Sequence, residues 1–315
     1  MIKDDYKRIV DRIEPDAGLG RRIAAKLPDH TEKRRYRAIS AAVIACLAVA
    51  IGAGVWLERS PADQAPSQRP GDTAVKPNEG TVRIPPIKLP EHSNAAADMI
   101  GLIVYKGKIY TQSVGTELSP EAAKLLVGER IGRTKGTIDE WSSQDDYAVE
   151  FASSTGPADV FTVIGFDSDF RIMTYEVADG QAWTGLFECL NGIEVSSGAD
   201  LFGKLKLDGN VKSASWETYN SWNNDRKQYA ALAAGAPVGS FLQALNEAKP
   251  LETQKLQKEG LFNYTHEQKF LLLALKDGSV IRLRLFDGGY AWYPGVGVLF
   301  KVEDQAFSAM WESMK

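Results

Sequence analysis

Three histidines, His30, His92 and His266, are spread through the chain, and no two of them stand at metal-ligand spacing. Zinc sites and acid–base relays draw on His and Cys set at short intervals, so this distribution predicts neither. No Gly-x-Ser-x-Gly elbow is present, and "GLGRRIAA" at Gly18 lacks the preceding strand that a dinucleotide loop requires. Asp167 and Asp169 in "FDSDF" could seed a calcium site, which takes about six to eight oxygen ligands. No glycine or distal Glu completes a calcium loop there, so "DSD" reads as a hairpin turn. The Asp-Gly pairs at Asp179, Asp208, Asp277 and Asp287 are turn chemistry as well, because Gly supplies the positive φ and Asp bonds its own backbone. These residue types predict no enzyme, no metal and no cofactor.

Aromatics are the surplus. "SWETYNSWNND" puts Trp216 and Trp222 on one face if the segment is extended, with Tyr219 on the other, and "GGYAWYPG" offers Tyr290, Trp292 and Tyr293. Beside Asn and Asp, exposed rings stack on sugars or on a peptide; buried, each covers about 150 to 250 Å² of a core, which is the commoner use. Trp216, Trp222, Tyr290 and Trp292 are the candidate ligand platform. The two cysteines are Cys46 and Cys189. Cys189 has no intramolecular partner outside the apolar segment that holds Cys46, so it reads as a small buried apolar residue, with an intermolecular bridge as the minority alternative. "NYT" at Asn263 matches a glycosylation acceptor, a tripeptide that chance often produces.

The elements that position these residues are ordered by one segment, Ala38 to Leu57, twenty residues without a charge. At about 1.5 Å per residue it spans roughly 30 Å, the thickness of a bilayer's hydrocarbon. Its only polar side chain before Trp56 is Ser40, whereas a helix in a soluble core keeps a polar stripe. A cleaved signal would start near Met1 and carry a shorter apolar run, so the segment reads as a retained transmembrane helix. "VIAC" at Val43 to Cys46 resembles a lipoprotein signal, but eleven further apolar or Gly residues follow it. Lys33, Arg34, Arg35 and Arg37 precede the span, which sets residues 1–37 in the cytoplasm and the remainder outside.

The cytoplasmic tail spaces Tyr6, Ile9, Val10 and Ile13 at helical intervals, breaks at Pro15, and then sets Leu19, Ile23 and Leu27 four apart. Two such short helices are too small to fold alone. Ile9, Val10, Ile13, Ile23 and Leu27 are therefore candidates for docking a cytosolic protein, or for lying on anionic lipid. Residues 58–98 hold seven prolines between Arg59 and Asp98 with no periodic pattern, and read as a stalk, with "TVRIPPIKLP" as an alternative ordered arm. The composition, 44% hydrophobic and 25% charged at net charge −4, excludes a disordered chain and a basic nucleic-acid binder.

From residue 99 the pattern is α+β. "MIGLIVYKGKIYTQ" predicts a hairpin about Gly107, and "SPEAAKLLVGERIG" a short helix capped by Ser119 with Leu125 and Leu126 on its apolar side. "YAVEFA", "DVFTVIGF" and "FRIMTYEV" follow as strands. "VGSFLQALNEAKP" is helical, "KFLLLALKDGSVIRLRLFDGGYAWYPG" is two strands joined at Asp277-Gly278 and closed by Asp287-Gly288, and a strand and a helix built on Phe307, Met310 and Trp311 end the chain. Phe161–Gly185 and Phe270–Gly295 repeat strand, acidic turn, strand, Asp-Gly, Ala-Trp and Gly in order. This predicts two related α+β units with antiparallel hairpins, 99–205 and 206–315, on a single transmembrane helix.

This order of parts, tail, span, stalk and outer α+β domain, resembles the membrane-anchored regulators of extracytoplasmic-function sigma factors of Gram-positive bacteria. The resemblance implies sequestration of a sigma factor by the tail, although the chain lacks the His and paired-Cys zinc motif that many anti-sigma domains carry. The expectation is a single-pass cell-membrane protein that senses or binds an extracellular ligand and regulates a cytosolic partner through residues 1–37, with the lipid bilayer as its other partner and no nucleic acid. The alternative is an accessory factor or enzyme of envelope assembly.

Overall fold

In the computed structural model the described residues are 80–87 and 100–315, apart from 140, 141, 143–145, 147, 179, 180, 234 and 264–266. The tail, the apolar segment 38–57, most of 58–98, and Ile9, Val10, Ile13, Ile23 and Leu27 lie outside them. Among the described residues no helix is long and apolar enough to cross a membrane. The described part is mixed α+β with antiparallel sheets.

The first strand, β1 (Val82–Ile84), falls inside the segment expected to be stalk. There follow β2 (Leu102–Tyr105), β3 (Lys108–Gln112), β4 (Thr116–Leu118), α1 (Pro120–Leu126), β5 (Val127–Arg133), β6 (Asp159–Val163), β7 (Arg171–Ala178), β8 (Gln181–Glu188), β9 (Ile193–Val195) and α2 (Ala199–Phe202). The second half holds β10 (Val211–Thr218), α3 (Tyr219–Asn223), β11 (Ala230–Ala231), α4 (Val238–Glu247), β12 (Lys249–Glu252), α5 (Thr253–Lys258), β13 (Gln268–Leu275), β14 (Ser279–Phe286), β15 (Tyr290–Trp292), β16 (Val298–Lys301) and α6 (Asp304–Ser313).

Two large sheets result. Six strands run in the order β2-β3-β8-β7-β6-β5, and eight form the path β11-β10-β13-β14-β15-β16-β12, with β4 also paired to β14. β4, from the first half of the chain, thus belongs to the second sheet. Both sheets contain a three-stranded meander, β6-β7-β8 in one and β13-β14-β15 in the other. The unbroken apolar run of β13 marks a strand buried on both faces. One face of the eight-stranded sheet sends Leu271, Leu273, Leu283, Leu285 and Phe300 into the main core with Phe241 and Leu245 of α4 and Phe307 and Met310 of α6. The other packs Phe286 and Leu299 with Leu256 of α5 and Leu261. α2 comes so close to α4 that a Cβ on Gly198 would lie 1.8 Å from the Leu245 carbonyl oxygen.

Several expectations need correction. Leu125 is 74% exposed: α1 is only seven residues long, and Ala122, Ala123 and Leu126 already fill its sheet-facing side. The described part of "YAVEFA" is irregular, because Phe151 turns to a φ of 60° and lays its ring over Gly132; the segment still lies along β2, where the Phe151 N–H donates to the Val104 carbonyl and the Val104 N–H to the Ala152 carbonyl, both at 2.8 Å. Residues 80–87 dock as an arm. β1 pairs antiparallel with β9, Ile84 enters the main core, and the Ile87 N–H donates to Asn191 Oδ1 at 3.3 Å. Cys189, in contrast, is buried as expected, and burial pushes its thiol up.

A buried polar cluster ties the two sheets together. Arg171 of β7, 1% exposed, sits directly opposite Glu188 of β8 and donates from Nε at 3.1 Å and from Nη2 at 2.5 Å to Oε1. Nη2 also donates to Thr116 Oγ1 of β4 at 3.2 Å. Tyr293, just past β15, donates its hydroxyl to the Glu188 carboxylate at 2.9 Å, and Thr116 Oγ1 and Ser113 Oγ complete its shell at 2.8 and 3.0 Å. Removing one member of such a pair strands a charge without water, whereas apolar replacement of both does not. Arg171→Met should cost about 3 to 5 kcal/mol in urea unfolding followed by tryptophan fluorescence, and Arg171→Met with Glu188→Leu should recover part of that loss. Equal losses in the single and double variants would show that the pair is not what holds this site.

Candidate functional site

A concavity lies where β10 ends. Trp216 on β10 points to the face that carries α6, and two residues later the strand stops, because Thr218 turns to cap α3, its Oγ1 accepting from Ser221 N at 3.2 Å. This sets Tyr219 and Asn220 at the strand's end. β13 contributes Gln268 and Lys269 alongside, and the end of α6 with the residues after it contributes Trp311, Glu312, Met314 and Lys315. Together with Thr218 and Glu267 they line a cleft of about 590 Å³.

Lys269 forms its floor and is only 6% exposed. Its Nζ donates to the carbonyls of Met314 at 2.9 Å and Trp311 at 3.3 Å, and lies 3.5 Å from Glu267 Oε1. A cation at a helix C-terminus completes the orphan carbonyls there, so Lys269 fixes the last turn of α6. The same ammonium lies 4.3 Å from the Trp311 ring centre and 5.6 Å from that of Trp216, so two indoles flank it.

On the opposite face of the sheet sits a second buried cation. Arg284 of β14 is 9% exposed and has the rings of Phe286, Phe262, Trp222, Phe270 and Tyr219 around its guanidinium at 5.1 to 5.7 Å. Its Nε donates to Gln268 Oε1 at 2.8 Å and its Nη2 to the same oxygen. Among the described residues no carboxylate pairs with it, and burial lowers its pKa from the ordinary guanidinium range to about 10.

The expected platform is therefore divided. Trp216 lines the cleft. Trp222 does not share its face, because α3 intervenes between them and lays the Trp222 ring on Phe270 at 4.5 Å, nearly parallel. Tyr290 and Trp292 belong to the satellite core around Phe286 and Leu299; Trp292 meets Phe262 edge-on at 5.3 Å and donates Nε1–H to the Val296 carbonyl at 2.8 Å. All three are half-buried and pack their rings against neighbouring aromatic or core residues. The "DSD" turn is held by the Asp169 N–H donating to Asp167 Oδ1 at 2.8 Å, and Asp169 pairs with Lys108 at 2.9 Å, a contact that holds its carboxyl below the usual range. His266 lies outside the described residues.

Sequence reasoning missed Lys269. Its signal was present as a cation heading the doubly buried run "KFLLLAL", where a lysine needs dedicated partners. Trp311 was read as packing for the last helix, which its stacking on Phe307 at 5.5 Å supports, yet its other side faces the cleft. Comparison with protein-family models, with curated proteins and with solved structures finds no match.

Arg284 yields a pH-dependent expectation. Its folded pKa is depressed, so from about pH 10 up to the ordinary guanidinium value the unfolded chain binds more protons, and this group's penalty on the fold fades as pH rises. Replacing Arg284 and Gln268 together by Leu should leave the fold as stable at pH 7 or more so, by up to about 4 kcal/mol. The difference from the native chain should shrink above pH 10. Thermal unfolding of both proteins from pH 7 to 11 measures it, and a gap that widens with pH would contradict the assignment.

Proposed function

We propose that the protein is a single-pass cell-membrane protein whose α+β domain binds a ligand outside the cell and whose residues 1–37 engage a cytosolic partner such as a sigma factor. The observation that carries this reading is the uncharged segment Ala38–Leu57 with four basic residues immediately before it. The binding half is supported by the cleft, a concavity of small-ligand size in which two indoles stand beside amide, hydroxyl and carboxylate groups. Its buried lysine has its donors committed to two carbonyls and a carboxylate, which suits a wall better than a nucleophile. The repeated meander and the Asp-Gly hairpins support two related α+β units as its framework.

The docked arm shortens the tether. Between the end of the apolar segment and β1 lie residues 58–81, 24 positions, whose full extension reaches roughly 80 Å. The domain then works within that distance of the bilayer.

Two measurements test the reading. A single cysteine at Ser67 should react with impermeant thiol reagents on intact protoplasts and one at Ser40 should not; labelling only after lysis would reverse the orientation. In the tail, Ile9→Ala with Ile13→Ala should remove about 2 to 5 kcal/mol of packing per residue and abolish co-purification of a cytosolic protein. Arg8, Arg12 and Arg21 replaced by Gln should largely spare it, since each charge contributes only about 1 kcal/mol of attraction to lipid. A native tail that captures no protein and binds anionic vesicles in a salt-sensitive way would remove the regulatory half of the proposal.

A further inference from the structure

We infer that the cleft between β10, β13 and α6 takes an uncharged saccharide chain, an assignment of ligand class that rests on the binding reading above. Charge complementarity is the first argument. The cleft holds two carboxylates, Glu267 and Glu312, and two ammonium groups, Lys269 and Lys315. Lys269 lies 3.5 Å from Glu267, and Lys315 contacts Glu312 closely. The charges cancel in pairs, so the lining attracts neither an anion nor a cation and suits a neutral polar ligand.

Hydrogen bonding separates sugars from peptides. An extended peptide is read through main-chain groups, as in strand addition. The carbonyls of Trp311 and Met314 at this cleft already accept from Lys269, and Trp216, Glu217 and Thr218 are in register with β13 on their ladder side. What the cleft offers is side chains: the Thr218 hydroxyl, the Asn220 amide, and the Glu267 and Glu312 carboxylates. Such a mixture of donors and acceptors matches hydroxyl groups, each of which donates and accepts.

The rings supply the remaining contact. Trp216 and Trp311 are both half-buried and both line the cleft, while the Tyr219 ring packs with Trp222 and Arg284 on the other face. A ring body that is apolar with a polar rim stacks on the C–H face of a pyranose while neighbouring side chains take its hydroxyls. At about 590 Å³ the space falls within the ordinary range of ligand sites, about 300 to 1,000 Å³.

The test uses the full chain in a detergent without a sugar headgroup, with chitohexaose, cellohexaose and maltohexaose as saccharide probes and a neutral hexapeptide as the contrast, read by calorimetry and tryptophan fluorescence. At least one oligosaccharide should bind, and Trp311→Ala should weaken it tenfold or more. Trp183→Ala, an exposed indole outside the cleft, should leave it unchanged. Because Trp311 also packs on Phe307, Asn220→Ala serves as a second probe at an exposed position and should weaken binding several-fold. Saccharide binding untouched by Trp311→Ala, Trp216→Ala and Asn220→Ala would overturn the assignment. A cleft-dependent response to the hexapeptide with none to the saccharides would overturn it while sparing the binding reading, and no cleft-dependent response to either class would overturn both.

Discussion

The ion pair of Arg171 with Glu188 is the constraint that the rest of the domain has to satisfy. Both groups sit where water does not reach, and transferring two charges into such a place costs several kcal/mol per ion unless every remaining donor and acceptor is matched. The matching groups come from far along the chain: Thr116 from β4, Ser113 just before it, and Tyr293 some 105 residues beyond Glu188. Satisfying the pair therefore places β4 on the edge of β14 and brings the end of β15 against β8. The phenol stays protonated, its pKa raised by burial and by the neighbouring Glu188 carboxylate, which keeps it a donor. Even the local chain bends to this need, because a Cβ on Gly115 would lie 2.3 Å from the Tyr293 ring.

Among the described residues three cations are buried, Arg171, Lys269 and Arg284, and each is accommodated by different chemistry. Arg171 has a carboxylate and two flanking rings, Phe166 and Phe170, at 4.4 and 5.1 Å. Lys269 has helix-end carbonyls and two indoles. Arg284 has one amide oxygen and five rings, and burial lowers its pKa to about 10. The partners differ in charge: a full anion for Arg171, oriented carbonyl dipoles with a carboxylate at 3.5 Å for Lys269, and an amide oxygen with ring quadrupoles for Arg284. The cleft borders the second of these, so its floor is already electrically settled by the C-terminal turn of α6, and its selectivity must come from the rings and side chains around the rim.

Much of the fold was legible in the sequence because it is dictated locally. Ser119 and Pro120 start α1, Lys106 and Gly107 make the first hairpin turn with φ of 51° and 67°, and Asp277 bonds the Ser279 N–H at 2.9 Å in the turn between β13 and β14. The elements that escaped depend on distant partners. β1 is three residues amid prolines and becomes a strand only because β9 is there to pair with it. Phe151 leaves the extended conformation to reach a surface supplied by β5. The platform is divided for a similar reason: Trp216 and Trp222 would share a face on one continuous strand, but Thr218 ends the strand between them, and its capping role is visible only once the Ser221 N–H is seen to need it. Lys269 was hidden because its partners lie 42 and 45 residues away.

The two Asp-Gly hairpins show how cover, more than ladder, decides what an aromatic does. In each, a long charged residue three positions before the Asp faces a Trp across the strands: Glu176 opposite Trp183, and Arg284 opposite Trp292, the latter displaced by one extra glycine in the turn. The backbones make the same pairing, yet the side chains meet opposite fates. Over β14 and β15 lie α3, α5 and the segment carrying Phe262, so Trp292 is half-buried against Phe262 and Arg284 must find rings and an amide. Over β7 and β8 the irregular segment with Phe151 covers only the end holding Ile172 and Phe187. Trp183 is left 54% exposed, and Glu176 keeps solvent and a loose 3.9 Å approach to Arg133. A charge opposite an indole is thus cheap at an open hairpin end and demanding under a helix, and the sign of the residue follows: a guanidinium, planar and weakly hydrated, can be enclosed by rings where a carboxylate cannot.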